Sequence, residues 1–221
     1  MAVKITSDAA WHAWRLEGIG ASEASAVLGC NPYMNNVDLW RIKTGRKAAA
    51  DISNKACVQY GHEAEPLIRK LFALDHPEYK VIYRGKYDAV GSDVYPFVRA
   101  TLDGRLVETA TGRRGVYEGK TAEILRSMQR EKWRTTDGKP RLPDNYYVQV
   151  LHQLLATGWD FAVLHAQLKS EWDGNIIATR RSFTIERAEV AEDLDVLLEA
   201  EQRFWRYVQE DKEPPLVLPE I

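Results

Sequence analysis

Two carboxylates and a lysine stand at spacings that could bind a metal ion. Asp103 follows one predicted strand, Glu118 lies within the next, and an obvious turn joins the two strands. Antiparallel pairing of these strands would bring the two carboxylates close together. Lys120 would share a face with Glu118, because side chains two residues apart on a strand point the same way.

These three residue types suit the hydrolysis of a phosphodiester. Neighbouring carboxylates repel one another and are costly to bury, whereas a hard cation such as Mg²⁺ prefers oxygen ligands and removes that cost. The ion would polarise the phosphate and acidify a bound water, while a lysine could orient that water or stabilise transition-state charge. The alternative for Glu118 and Lys120 is an ordinary solvated strand face.

Composition limits the classes of protein that are possible. A chain of 221 residues with 45% hydrophobic residues can build one large core, so residues 1–221 are predicted to form a single nuclease domain. The formal net charge of −2 is unusual for a nucleic-acid-binding protein. Two cysteines without a CxxC pair exclude a zinc ribbon and indicate a reducing cytoplasm, and no apolar run is long enough for a membrane span.

The apolar periodicity predicts the elements that position these residues. Helices are expected at residues 7–14, 22–29, 36–44, 55–74, 124–133, 143–157 and 188–209. Strands are expected at 81–87, at 94–100 with a continuation to 106 that bends at Asp103-Gly104, and at 115–121, 161–169 and 176–185. This order predicts an α/β or α+β fold with a central mixed β-sheet flanked by helices.

Four segments of the chain contain recognisable residues in a particular order. They are Trp11-His-Ala-Trp-Arg15 with Gly20-Ala-Ser22-Glu23, Gln59-Tyr-Gly61-His-Glu-Ala-Glu65, Leu102-Asp103-Gly104 with Glu118-Gly-Lys120, and Tyr146-Tyr-Val-Gln149-Val-Leu-His-Gln153. Together they resemble the lambda-exonuclease or YqaJ-like family of viral recombination nucleases, within the PD-(D/E)xK superfamily. The resemblance implies a restriction-endonuclease-like core.

The resemblance also implies the ligands of a metal site. Asp103, Glu118, the backbone carbonyl of Gly119 and Glu65 would bind Mg²⁺, with Mn²⁺ as a substitute and two ions in the site, and Lys120 would be the catalytic lysine. The sequence departs from the family next to these residues. Leu102 replaces the usual proline, and Gly119 replaces a bulky apolar residue and could loosen the strand locally.

Arg15, Ser22 and Tyr146 would bind the DNA or its phosphates. Arg15 and Ser22 would hold a 5′ phosphate, Arg15 through its bidentate fork and Ser22 at a helix start, although Ser22 could equally be a simple helix cap. Gln149 would be a catalytic residue near the metal or the scissile phosphate, with Tyr146 one helical turn before it.

The function implied is that of a 5′-to-3′ exonuclease acting on linear double-stranded DNA with a free end. A homotrimer, a single-strand annealing protein as partner, phage-type recombination, and the cytoplasm of a bacterium or phage-infected cell are implied by the same resemblance. Two alternatives stay open: a structure-specific or restriction-type endonuclease of the same fold, and a non-catalytic DNA-binding module.

Overall fold

Six helices and nine strands occupy residues 2–123 and 131–218, which are the residues that this computed structural model describes. The helices are α1 (Asp8–Leu16), α2 (Ala21–Val27), α3 (Asn36–Lys43), α4 (Ala56–Asp75), α5 (Asp144–Thr157) and α6 (Ala191–Gln209). The strands are β1 (Ala2–Val3), β2 (Ile19–Gly20), β3 (Tyr79–Ile82), β4 (Ala89–Gly91), β5 (Val98–Thr101), β6 (Gly104–Glu108), β7 (Arg114–Glu123), β8 (Phe161–Trp172) and β9 (Asn175–Glu186).

The strands form two mixed sheets flanked by helices, which confirms the predicted fold class but divides the single sheet that was expected. The smaller sheet has the order β1-β4-β5-β2, and the larger has the order β3-β6-β7-β8-β9. The pairs β2–β5 and β7–β8 are parallel. The chain crosses from one sheet to the other at Leu102 and Asp103, between β5 and β6. This crossing confirms the bend that was predicted at Asp103-Gly104, although Gly104 itself begins β6.

The strand predicted at 81–87 is also only partly correct. Its first two residues belong to β3, which pairs with β6, whereas residues 83–88 lie outside the strands and β4 follows them. Gly85 has a φ of 100°, a backbone conformation that interrupts an extended chain. Asp88 then turns inward to accept a hydrogen bond from Nε of Arg105 at 2.7 Å.

Strand β7 lies between helices α4 and α5. Tyr117 packs with Phe72 of α4 in one apolar cluster, whereas Val116 packs with Leu151 of α5 in another. Because successive side chains of a strand point to opposite faces, the residues of β7 alternate between the two helices. The side chain of Glu118 therefore points towards α5.

Most predicted helices occur, with shifted ends. The helix expected at 22–29 begins at Ala21, and Gly20 rather than Ser22 is its N-cap because the carboxylate of Glu23 accepts the Gly20 N–H at 2.7 Å. In the helix expected at 124–133, residues 124–130 lie outside the described residues. Within the described part of the chain, no helix has both the length and the apolar character needed to cross a membrane.

Candidate active site

The register of β6 and β7 places Asp103 beside Glu118. Gly104 pairs with Tyr117 and Arg105 pairs with Val116, so the residue before β6 lies opposite Glu118. The carboxylate of Asp103 also accepts a hydrogen bond from the backbone N–H of Gly119 at 2.9 Å. The sequence prediction that pairing would bring these carboxylates together is therefore confirmed.

Three hydrogen-bond donors surround the carboxylate of Glu118, which is only 2% exposed. Lys120 Nζ and Gln149 Nε2 each lie 2.5 Å from Oε1, and Gln153 Nε2 lies 2.5 Å from Oε2. Burial of a charge is tolerated when it is paired and hydrogen-bonded in this way. Gln149 and Gln153 are four residues apart on α5, so they lie on the same face of the helix.

Lys120 carries a positive charge in this site. Burial alone would lower its pKa, but the negative charges of Glu118 and Asp103 outweigh burial and raise the pKa above its ordinary value. Its ammonium lies 5.5 Å from the ring centroid of Tyr146. Lys120 is thus suited to stabilise negative charge, and it is unsuited to accept a proton from water.

Asp103 lies in a strongly acidic environment. Its pKa is well above the ordinary value, first because of burial and then because of the negative charges of Glu118 and Glu65. Burial and the charge of Asp103 likewise raise the pKa of Tyr117, so its hydroxyl stays protonated. Asp103, Glu118 and Glu65, here called the acidic cluster, therefore repel one another in their ionised forms.

Glu65 belongs to α4 and approaches the other two carboxylates of the acidic cluster from the face of β7 opposite the Glu118 side chain. A Cβ atom on Gly119 would lie 3.6 Å from Cγ of Glu65, which is an ordinary contact, so only a side chain larger than that of alanine would displace Glu65. Nη1 of Arg69 donates to Glu65 at 2.7 Å and to the backbone carbonyl of Asp103 at 3.0 Å. Arg69 was not among the predicted site residues, although its position one helical turn after Glu65 indicates such a contact.

The donor chemistry of the acidic cluster fits a hard divalent cation. Carboxylate oxygens are the ligands that Mg²⁺ and Mn²⁺ prefer, and a cation would relieve the repulsion that raises the pKa of Asp103. As the side chains stand, no three His, Cys, Asp or Glu residues in 2–123 and 131–218 form a group that could hold a metal ion. Glu118 is instead turned towards Lys120 and the two glutamines.

A small polar cavity of about 80 Å³ lies next to the acidic cluster. Its lining includes Trp11, Arg15, Ser22 and Gln149. Nη2 of Arg15 donates to the hydroxyl of Ser22 at 3.3 Å and to Glu23 at 2.9 Å. The structure thus brings the predicted residues Arg15, Ser22 and Gln149 together in the lining of one cavity. Gln149 also contacts Glu118, so this cavity adjoins the acidic cluster.

The fold and the site define a mixed α+β protein that is consistent with a PD-(D/E)xK-like core and has two carboxylates and a lysine close together. A sequence model described as the YqaJ-like viral recombinase domain matches residues 10–160, and the chain belongs to that family. The "Uncharacterized protein YqaJ" of Bacillus subtilis (strain 168) is 29% identical over 200 residues. That match covers 88% of this chain but 54% of the relative, so the chain spans about half the length of the curated relative.

Two solved structures share the fold. An alkaline exonuclease (LHK-Exo) from Laribacter hongkongensis superposes with a TM-score of 0.59 at 18% sequence identity, covering 91% of this chain and 92% of the other. LHK-Exo in complex with dAMP gives a TM-score of 0.58 at 19% identity, with the same coverage. These similarities confirm the predicted architecture.

Proposed function

We propose that this chain is a Mg²⁺-dependent deoxyribonuclease that digests linear double-stranded DNA from a 5′ end, in phage-type recombination. The contact from Gln149 to Glu118 carries the proposal, because Gln149 also lines the cavity that contains Arg15 and Ser22. The side chain of Gln149 thus lies between the carboxylate of Glu118 and the cavity that contains the guanidinium of Arg15. A terminal phosphate held in that cavity would lie close to the site of hydrolysis.

Asp103, Glu118 and Glu65 would hold the cation, which when bound supplies Lewis acidity and an acidified water. The carbonyl of Gly119 is a further candidate ligand. A strand residue directs its N–H and its carbonyl to the same side, and the N–H of Gly119 donates to Asp103. The geometry of Gly119 therefore supports its carbonyl as a ligand on the Asp103 side.

Lys120 would act on the phosphate through its positive charge. A fixed cation aimed at developing negative charge lowers the barrier most in a site that excludes water. The raised pKa of Lys120 favours this role over proton abstraction from the attacking water. Gln149 would keep Glu118 oriented at the edge of the cavity, because its Nε2 donates to Oε1.

Arg15 is the residue that would select the 5′ phosphate. Its guanidinium stacks on Trp11 at 4.8 Å and keeps contact with Ser22, which fixes its direction. A planar guanidinium can donate two hydrogen bonds to one phosphate. Its present partner Glu23 also pairs with Lys43 at 2.6 Å, so Glu23 keeps a counter-charge if Arg15 binds phosphate.

Digestion of matched linear duplexes with a 5′ phosphate or a 5′ hydroxyl tests this proposal. We expect the phosphorylated end to be digested faster in Mg²⁺, and Arg15→Met to remove the preference. Arg46→Met is a matched control, because Arg46 also stacks on a tryptophan, at 4.6 Å from Trp40, and lies outside the residues lining this cavity. Equal rates on both ends would contradict the role of Arg15 and Ser22.

Covalently closed circular duplex separates the proposal from its alternatives. An exonuclease leaves the closed circle intact, whereas cleavage of the circle would favour an endonuclease of the same fold. A chain that binds DNA but digests neither substrate would be a non-catalytic binding module. In that case Lys120→Met would leave DNA binding unchanged.

A homotrimer and a single-strand annealing partner complete the proposal. One observation supports self-association: Leu67, Leu71 and Leu74 of α4 are 59%, 37% and 76% exposed and lie at helical spacing on one face. Light scattering coupled to size-exclusion chromatography would give three times the chain mass of 25.2 kDa for a trimer. Leu74→Glu should shift that mass towards the monomer.

A further inference from the structure

The hydroxyl of Tyr117 is buried next to the acidic cluster without a hydrogen-bond partner among the described residues. Tyr117 is 0% exposed, and its oxygen is one of the few buried side-chain polar atoms left unsatisfied there. Leaving a buried donor unpaired is costly, and nearly all such groups in proteins find a partner. An unpaired hydroxyl next to the acidic cluster therefore points to a partner that it reaches only when the site binds its ligand.

Two glycines determine where the Tyr117 ring lies. A Cβ atom on Gly104 would be 3.3 Å from Cβ of Tyr117, and one on Gly119 would be 3.5 Å from its Cε1. The ring thus extends along β7 from Gly104 towards Gly119, with the hydroxyl end nearest Gly119. Phe72 packs against it with ring centroids 5.0 Å apart, which holds the ring in this direction.

Glu65 approaches the same point from α4. The Cβ position of Gly119 lies 3.6 Å from Cγ of Glu65 and 3.5 Å from Cε1 of Tyr117, so both side chains use the space that a larger residue would fill. Asp103 accepts the N–H of the same glycine. The hydroxyl end of Tyr117 therefore lies on the same side of Gly119 as the side chain of Glu65.

We propose that Tyr117 is a positioning residue, whose hydroxyl donates its one hydrogen bond to the carboxylate of Glu65 when that carboxylate holds a cation. Gly119 leaves the space for that hydroxyl. The inference rests on the proposed metal-dependent function. A hydrogen bond to a ligating carboxylate orients it, and losing such a contact lowers metal affinity or activity by about 10- to 100-fold.

Tyr117→Phe tests the inference because it removes only the hydroxyl and keeps the packed ring. We expect Mn²⁺ affinity, measured by calorimetry without DNA, to fall by about 10-fold. Urea unfolding without metal should show no loss of stability, since the deleted hydroxyl has no partner among the described residues. The Mg²⁺ concentration for half-maximal digestion should rise, while KM for DNA stays unchanged.

Tyr79→Phe is the matched control. Tyr79 packs against the same Phe72 at 6.1 Å between ring centroids, but it lies on β3 and outside the acidic cluster. We expect its Mn²⁺ affinity and Mg²⁺ requirement to equal those of the wild type. An equal fall in both variants would overturn the inference, because it would reflect a general packing effect.

The possible outcomes separate this inference from the proposed function. Unchanged Mn²⁺ affinity in Tyr117→Phe, with active wild-type protein, overturns the inference alone. A wild type that binds Mn²⁺ but digests no DNA overturns the proposed function, and weaker binding by Tyr117→Phe would still support the inference. A wild type that binds no divalent cation overturns both.

Discussion

The hydrogen bond from Gln153 to Glu118 should contribute measurably to the stability of the folded chain. Gln153 is fully buried, and its Nε2 lies 2.5 Å from Oε2 of Glu118. Gln153→Met removes this donor while keeping a side chain of similar length. Water cannot easily replace the donor, because Glu118 is only 2% exposed.

The expected size of this effect follows from two opposing contributions. A hydrogen bond to a charged group contributes about 1.5–3 kcal/mol. Methionine also removes Oε1 of Gln153, a buried acceptor that has no partner among the described residues, so the loss should fall in the lower half of that range. Since 1 kcal/mol shifts Tm by roughly 2–4 °C in a domain of this size, we expect a decrease of about 3–9 °C.

Urea unfolding at pH 8 without divalent cations measures the effect, and Gln149→Met is the control. Gln149 is half-buried at the edge of the small cavity, so water can replace its bond to Glu118 and its loss should cost less stability. Digestion should instead be reduced more by Gln149→Met. A Gln153→Met variant within about 0.5 kcal/mol of the wild type would refute this account of Glu118.

Substitutions at three other residues have distinct expected results. The pKa of Asp103 is raised in the folded state, so this residue contributes stability that is complete below its unfolded pKa and is lost as pH rises through the folded pKa. Asparagine carries no charge at any pH, so Asp103→Asn should stabilise the metal-free protein at pH 8 and not at pH 3. The same substitution should abolish digestion. Gly119→Ala should be tolerated because its Cβ would meet Glu65 at 3.6 Å, whereas Gly119→Leu should displace that side chain and weaken Mn²⁺ binding in calorimetry. Burial alone would lower the pKa of His152, but the charge of Glu201 outweighs burial and raises that pKa. Nδ1 of His152 lies 2.6 Å from Glu201, and Nε2 lies 2.9 Å from the backbone carbonyl of Arg99. Urea unfolding should therefore show that His152→Gln costs more stability at pH 6 than at pH 9.

The centre of the site could be predicted because its determinants are local in the chain. A turn joins the strands of Asp103 and Glu118, so their pairing follows from short-range sequence. Gln149 was predicted near the metal on one helix, and Gln153 lies four residues later on the same face of that helix. The sequence did not indicate that both amides would donate to Glu118, because that depends on how α5 packs on β7.

The remaining features depend on tertiary contacts that no short segment specifies. Arg69 joins Glu65 to the carbonyl of Asp103, which lies 34 residues away in the chain. The sequence indicated that Gly119 could loosen its strand, and in the structure β7 pairs with β8 without interruption through Gly119 and His165. The missing side chain of Gly119 instead admits Glu65 and Tyr117.

Release of nucleotides from a 5′-phosphorylated linear duplex by the wild type and Lys120→Met tests the central claim most directly. We expect Mg²⁺-dependent digestion by the wild type, a loss of at least about 100-fold in Lys120→Met, and circular dichroism spectra that match. Equal digestion by the two proteins, or wild-type protein that releases nothing in Mg²⁺ or Mn²⁺, would contradict a nuclease centred on Asp103, Glu118 and Lys120.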